Sequence, residues 1–279
     1  MKRKYFGKEE IIKRLQGIGK KLPKQIKVYM TGGGAMGLKG RKDVTKDVDI
    51  ILTSHEDVNV FVRALKAMGY YEPPSVTREY DKLWVEAILR DREYFQFDIF
   101  LKRVCNALEL SNAMIGRAEK YGGFGKLHLY LLAMEDVFLF KSVTERDRDM
   151  EDMLALLRKG INENIVVEEC RDQRIKSGRI WETFVVTKIE EIEAKYKITI
   201  PWKKKLIRIG ERETAKYLII DKIKKGENTA KQIVTALNVP YNFMKEILKD
   251  LEKNGEITVD RSRKPYKYRI GVINSWMET

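Results

Sequence analysis

The sequence predicts an α+β fold, with a small mixed β-sheet, a helical middle region and a basic C-terminal domain. Short apolar segments alternate with amphipathic helical segments up to about residue 101. Helical periodicity then dominates as far as residue 196. After Ile200-Pro201-Trp202, which has the composition of a linker, the rhythm changes to three short helices and a basic alternating segment. We therefore expect domains at residues 1–115, 116–205 and 206–279.

The individual elements have their own signals. Strands are predicted by short apolar or alternating runs, at residues 26–31, 47–53, 83–89, 94–101 and 127–132. Helices are predicted by apolar residues at helical spacing, at residues 8–20, 56–68, 134–143, 147–159 and 170–196. Ser54 and Asp57 are typical of a helix start, and Gly69 of a helix end. This order favours a small mixed sheet with helices packed on one face.

Composition limits the classes of protein. The chain has 279 residues, of which 43% are hydrophobic and 34% charged, which is typical of a globular protein. It contains no apolar run of the ~20 residues that span a bilayer, and its basic start lacks a signal-type apolar stretch. We expect a cytoplasmic protein without membrane contact. Cys105 and Cys170 are far apart, which favours inert thiols. Abundant Lys and Glu with scarce Gln are typical of a thermophile.

The formal net charge of +14 favours a polyanionic partner such as nucleic acid or nucleotide phosphate. Residues 201–279 carry 18 basic and 10 acidic residues, so more than half of the excess charge lies there. Helices are predicted over residues 211–224, 229–237 and 240–253, followed by a hairpin over 256–270. Three helices and a basic hairpin are the pattern of a winged helix-turn-helix.

If the C-terminal domain docks on DNA or RNA, two groups of residues are the candidate contacts. Tyr241, Asn242 and Lys245 lie near the start of the third helix, where base contacts usually arise. The hairpin would place Arg261, Arg263 and Lys264 against phosphates or in a groove. The alternative is a domain used for protein contact or dimerisation.

Three aspartates form the candidate chemical centre. Asp47 and Asp49 are two positions apart on one predicted strand, so their side chains point to the same side. Asp98 lies between apolar residues of a later strand, and placing the two strands side by side would bring the three carboxylates together. Adjacent anions raise one another's pKa and call for a compensating cation. Oxygen ligands suit Mg²⁺, and two such ions can activate a hydroxyl and stabilise a leaving pyrophosphate.

A glycine run precedes the aspartates. Gly32-Gly33-Gly34 follows a strand and opens a predicted short helix, where backbone N–H groups can approach phosphate oxygens. It is neither a Walker loop nor a GxGxxG motif. Each feature also has a plainer interpretation: Asp-x-Asp can be a solvated strand edge, and Lys141 can be an ordinary helix lysine. The charged run from Arg146 to Asp152 can be a helix start with local ion pairs.

Taken together, Thr31-Gly32-Gly33, Asp47-Val48-Asp49 and Phe97-Asp98-Ile99 resemble the DNA polymerase β-like nucleotidyltransferase superfamily, over roughly residues 26–158. The wording is most similar to its minimal and abortive-infection-type members, in which a lysine and an Arg/Asp-rich helix follow the core. Lys141 and the run 146–152 look like that element.

The resemblance implies a role for each of these residues. Asp47, Asp49 and Asp98 would be catalytic and would bind Mg²⁺, probably-paired ions being the superfamily pattern, and Asp98 would help to activate the acceptor hydroxyl. Gly32 and Gly33 would contact the triphosphate of an NTP, and Lys141 would neutralise phosphate charge.

Two functions are compatible with these features. The first is a nucleotidyltransferase that moves an NMP from an NTP to a hydroxyl of an RNA, a protein or a small molecule, in the manner of a toxin-like enzyme. The second is a DNA-binding transcription regulator, whose nucleotidyltransferase-like domain senses nucleotide or is inactive. The three carboxylates favour the first, because a sensor does not need all of them.

Overall fold

The computed structural model describes residues 4–74, 84–144 and 146–271. Contacts divide the chain into two compact units, Met1–Ile200 and Pro201–Thr279. The fold is mixed α/β, with a six-stranded mixed sheet and eleven helices in the described part of the chain. The division falls at the predicted linker. Because strands on both sides of residue 115 belong to one sheet, the expected boundary at 115/116 lies inside the first unit.

The first unit is built on the six-stranded sheet. The strands of this unit are β1 (Ile26–Thr31), β2 (Asp47–Leu52), β3 (Ala87–Arg90), β4 (Gln96–Leu101), β5 (Arg103–Val104), β6 (Leu108–Glu109), β7 (Glu119–Phe124) and β8 (Leu127–Leu131). The sheet order is β3-β4-β2-β1-β8-β7, and β5 pairs with β6 separately. β2 runs parallel to β4 and antiparallel to β1, which in turn runs parallel to β8. The mixed sheet expected from the sequence is therefore confirmed.

Eight helices accompany this sheet in the described residues. They are α1 (Lys8–Lys21), α2 (Gly32–Leu38), α3 (His55–Lys66), α4 (Asn112–Arg117), α5 (Met134–Ser142), α6 (Asp147–Lys159), α7 (Glu163–Ser177) and α8 (Trp181–Tyr196). α3 begins as predicted, because the Ser54 hydroxyl accepts the backbone N–H of Asp57 at 3.1 Å. Aromatic side chains fill the core beneath β4, where Phe61 and Tyr70 contact Phe97.

Two expectations for the middle of the chain are wrong. The single helix predicted over residues 170–196 is two helices, α7 and α8, because Gly178 ends α7 with a left-handed backbone (φ +68°). The middle region is also not wholly helical, since β7 and β8 belong to the main sheet. β7 escapes prediction because it combines charged residues with Gly122 and Gly123 and carries little apolar alternation. The predicted strand start at residue 83 lies outside the described residues.

The second unit has three helices followed by an antiparallel hairpin. Its elements are α9 (Lys203–Lys224), α10 (Ala230–Leu237), α11 (Tyr241–Lys253), β9 (Ile257–Asp260) and β10 (Lys267–Ile270). α9 begins eight residues before its predicted start at residue 211. The unit has its own buried core, in which Ile219, Ile233 and Ile247 pack together with Leu251. Within the part of the chain that the structure describes, no helix has the length and apolarity needed to cross a membrane.

Candidate active site

Two of the three predicted aspartates lie directly opposite each other in the sheet. In the parallel pairing of β2 with β4, Asp49 is the partner of Asp98, and Asp47 is the partner of Gln96. The next residues, Ile50 and Ile99, form a fully buried apolar pair, which anchors the register. The sequence prediction that these two strands lie side by side is therefore confirmed.

Asp98 is the most enclosed of the three acids. Its side chain is fully buried, and its Oδ1 accepts a 2.6 Å hydrogen bond from Nε2 of Gln96. Among the described residues, its Oδ2 has no hydrogen-bond partner. Burial, and then the charges of Asp47 and Asp49, raise the pKa of Asp98 well above its usual value. A buried carboxylate with one unsatisfied oxygen is stabilised by a proton or a cation.

Asp49 and Asp47 form the outer part of the cluster. Burial, followed by the charge of Asp47, raises the pKa of Asp49 to about 6. Oδ2 of Asp47 accepts a 3.0 Å hydrogen bond from Arg148 of α6. The hydroxyl of Thr45 donates to the backbone carbonyl of Asp47 at 2.8 Å, which fixes the start of β2. Asp47 therefore has a cationic partner, whereas Asp98 lies behind it without one.

The glycine run forms the wall opposite the aspartates. Gly32 has φ +62°, and a Cβ built there would lie 1.9 Å from Oδ2 of Asp49. A Cβ on Gly33 would lie 2.5 Å from the hydroxyl oxygen of Thr45. Side chains at these two positions would fill the space that the carboxylate and the hydroxyl occupy. Glycine is therefore required here for a close approach, as the sequence analysis expected for a phosphate-binding turn.

A cleft of about 200 Å³ lies over the acids and is lined by cationic side chains as well as by Gly33, Asp47 and Asp49. The cationic side chains that line it are Lys42, Lys46, Lys141, Arg146 and Arg148. Asp98 is buried next to this cleft as the strand partner of Asp49. The arrangement places anionic oxygens at the base of a cavity with positively charged walls, which suits an anionic ligand together with a cation.

Lys141 is buried and already engaged by two aspartates of α6. Its Nζ lies 2.6 Å from Oδ1 of Asp149 and 2.7 Å from Oδ2 of Asp152. Burial lowers the pKa of Lys141, but the two carboxylates outweigh it and the pKa is raised. Conversely, the attraction of Lys141 and Arg146 overcomes burial and lowers the pKa of Asp149. The predicted phosphate-binding role of Lys141 therefore has to compete with an existing buried ion pair.

The donor chemistry of the cluster fits a hard divalent cation. Asp47, Asp49 and Asp98 offer only oxygen atoms, and one oxygen of Asp98 lacks a partner. Across the described ranges, however, no three His, Cys, Asp or Glu side chains are arranged as a ready metal-binding group. The contact between Asp47 and Arg148 is consistent with that finding, because it turns one carboxylate oxygen towards a guanidinium group.

Several residues of the cleft were not among the site residues predicted from the sequence. Lys42 and Lys46 were missed because basic residues are common in this chain, although both lie close in sequence to Asp47. Arg148 belongs to the charged run already noted, and only the position of α6 shows that it reaches Asp47. Tyr5 gave no signal, because its place depends on a bridge between Phe6 and Thr45.

The predicted nucleic-acid residues lie in the second unit. Tyr241, Asn242 and Lys245 are exposed on the first turns of α11. Arg263 and Lys264 are exposed in the connection between β9 and β10. Arg261 makes two hydrogen bonds to Glu252 of α11, at 2.7 and 2.8 Å.

These two bonds tie the hairpin to the helix, so Arg261 is less accessible to a phosphate than its neighbours are. No protein-family model matches the chain, and no curated protein matches it.

Proposed function

We propose that this protein is a Mg²⁺-dependent nucleotidyltransferase that transfers an NMP from an NTP to a hydroxyl of an RNA, protein or small-molecule acceptor and releases pyrophosphate. The observation that carries the proposal is the pairing of Asp49 with Asp98 in adjacent strands, next to Asp47 and beneath a cationic cleft. Burying carboxylates together is unfavourable unless a cation compensates them. This cost is difficult to explain for a surface that only positions a fold.

The proposed reaction uses the chain's residues in distinct ways. The acceptor oxygen forms a bond to the α-phosphorus while the bond from that phosphorus to pyrophosphate breaks, and the hydroxyl proton passes to a carboxylate of the cluster. Gly32 and Gly33 leave room for phosphate oxygens close to the backbone. Lys42, Lys46 and Arg148 offset the phosphate charge. When bound to the three aspartates, Mg²⁺ would activate the hydroxyl and stabilise the leaving pyrophosphate.

Arg148 has a second part in this proposal. It donates to Asp47 at 3.0 Å, so a cation that binds Asp47 has to displace it. Once displaced, its guanidinium group remains in a cleft where phosphate groups need a partner. The exchange links metal binding to the release of a phosphate-binding group.

The test is label transfer from each α-labelled NTP in the presence of Mg²⁺ and total RNA or total cell protein. We expect transfer and pyrophosphate release by the wild type, and loss of at least ~100-fold in Asp49→Asn, because such losses follow removal of a group that stabilises the transition state. Asp43→Asn is the matched control, since Asp43 is an exposed acid of the connection that leads into β2. Label transfer by the wild type in excess chelator, or none with any NTP, would overturn the proposal.

Metal binding can be tested without turnover. Mg²⁺ alone should raise the melting temperature of the wild type, because a ligand that binds only the folded state stabilises it. The rise should disappear in Asp49→Asn and persist in Asp43→Asn. An equal rise in all three proteins would show that the ion acts elsewhere.

The alternative is a DNA-binding transcription regulator, which the three helices and basic hairpin of the second unit favour. It predicts tight, salt-dependent binding to duplex DNA without label transfer or pyrophosphate release. The same assays therefore separate the two functions.

A further inference from the structure

An exposed aromatic side chain stands at the edge of the cleft. Tyr5 is 53% exposed, yet it lines the same cavity as Asp47 and Asp49. Its neighbour Phe6 is fully buried, which shows that this stretch of chain can hide an aromatic residue. The exposure of Tyr5 therefore leaves a large apolar ring available to a ligand in an otherwise polar cleft.

The backbone holds Tyr5 in that place. Phe6 forms an antiparallel bridge with Thr45, in which each residue donates its N–H to the carbonyl of the other, at 2.8 and 3.0 Å. The Phe6 ring packs against Phe95 with 4.7 Å between centroids. Because successive side chains of an extended chain point to opposite sides, burying Phe6 directs Tyr5 outward.

A lysine next to the catalytic acids contacts the same ring. Nζ of Lys46 lies 5.0 Å from the centroid of the Tyr5 ring, within the range of a cation–π interaction. Lys46 immediately precedes Asp47 in sequence. The ring is thus connected through one residue to the group that is proposed to bind the phosphates and their cation.

The size of the cleft indicates which part of a nucleotide reaches Tyr5. At about 200 Å³ it is smaller than the ~300–1,000 Å³ typical of small-molecule pockets. A nucleotide whose phosphates lie against Gly33 and the cations would therefore leave its base at the rim. Aromatic side chains are suited to such bases, because every base offers a π-face.

We propose that Tyr5 is the stacking platform for the base of the incoming NTP, with Lys46 holding the ring in position. The inference rests on the proposed function. It assigns Tyr5 to substrate binding and gives it no part in bond making. It also predicts weak discrimination among bases, since stacking alone is tolerant of sequence.

The experiment compares the binding of an NTP with that of inorganic tripolyphosphate, which carries similar charge but no base. Both are titrated with Mg²⁺ and without acceptor into the full chain, as wild type, Tyr5→Ala, Tyr5→Phe and Tyr121→Ala. We expect Tyr5→Ala to weaken NTP binding by roughly tenfold or more, as the loss of one base stack implies. Its binding of tripolyphosphate should not change, and Tyr5→Phe should behave as the wild type.

Tyr121→Ala is the matched control. Tyr121 also lies beneath a lysine, with Nζ of Lys8 5.8 Å from its ring centroid, but it lines a different surface depression. Its substitution should leave both titrations unchanged.

Several outcomes would overturn the inference. Equal NTP affinity in Tyr5→Ala and the wild type would remove the stacking role while leaving the proposed function intact. A parallel loss of NTP and tripolyphosphate binding would show that Tyr5 only supports the shape of the cleft. Weakened binding of an RNA oligonucleotide with unchanged NTP binding would assign the ring to the acceptor. Failure of the wild type to bind either anion would reject both the inference and the proposed function.

Discussion

The missing side chain of Gly32 determines how closely the backbone can approach Asp49. A Cβ there would lie 1.9 Å from Oδ2 of Asp49, and φ is +62°, a conformation that L side chains rarely adopt. Gly37, in the same helix, differs in both respects: its backbone is not left-handed, and a Cβ would meet its nearest neighbour, the carbonyl of Lys42, at an ordinary 3.6 Å. The two positions separate the requirement for a close approach from the general effect of adding a methyl group to α2.

Gly32→Ala should therefore damage the site, whereas Gly37→Ala should not. We expect Gly32→Ala to lose about 1–2 kcal/mol of stability from backbone strain alone and to lose label transfer, because Asp49 has to move. Gly37→Ala should be neutral or stabilising by up to about 1 kcal/mol, since alanine favours a helix. Denaturant unfolding and the transfer assay measure both effects. Full activity in Gly32→Ala would contradict the role of the close approach.

At the scale of elements, the ion pairs of Lys141 join α5 to α6. Its Nζ lies between Asp149 and Asp152, and Asp149 also accepts hydrogen bonds from Thr144 and Arg146. The pKa of Asp149 is lowered, because the attraction of Lys141 and Arg146 outweighs burial. Asp149 therefore contributes stability above the pKa of an unfolded aspartate, near 4, and this stability is lost as pH falls through the lower folded pKa.

Lys141→Met should be strongly destabilising. Removing one partner of a buried pair leaves uncompensated charge and costs about 3–5 kcal/mol. It should also flatten the acid side of the pH–stability curve, because the pKa of Asp149 would return towards its unfolded value. The control Lys66→Met breaks an exposed ion pair with Glu72 and should cost no more than about 1 kcal/mol. Denaturant unfolding at several pH values measures these differences, and a loss equal to that of the control would contradict the structural role.

The strands that carry the aspartates could be predicted because their signals are local. Acids between apolar residues within short strands predict buried carboxylates, and Asp49 and Asp98 lie side by side as expected. The tie between Asp47 and Arg148 could not be predicted, because it joins residues 101 positions apart through the docking of α6. The same limit applies to Tyr5, whose position depends on the bridge of its neighbour to Thr45.

Helix boundaries were harder to predict than strands. Charged residues on both sides of Gly178 continue a helical pattern, so only the left-handed backbone of the glycine reveals the break between α7 and α8. β7 has the opposite problem, because its pairing with β8 forms a strand from residues that show no apolar alternation. In both cases tertiary context outweighs the local pattern.

On the scale of the whole molecule, charge is divided unevenly between the two units. Residues 201–279 carry a net charge of +8 out of a total of +14. Some of that charge is already neutralised within the unit, as for Arg261 with Glu252 and Arg212 with Asp250. The exposed cations of the hairpin connection, Arg263 and Lys264, are therefore the better candidates for phosphate contact. This distinction yields a test of nucleic-acid binding that does not depend on the chemistry of the first unit.

We predict that the full chain binds nucleic acid with an affinity that falls as salt rises. Each phosphate contact contributes about 0.9 to the slope of log K against log salt for duplex DNA, and about 0.7 for a single strand. Arg263→Ala and Lys264→Ala should each weaken binding and reduce that slope by about these amounts. Arg261→Ala, the matched control within the same connection, should change the slope little, because its charge is already paired with Glu252. Binding isotherms at several salt concentrations, with duplex DNA and single-stranded RNA in parallel, measure the slopes. Equal effects of all three substitutions would contradict the assignment, and the absence of binding to either polymer would favour a protein partner for the second unit.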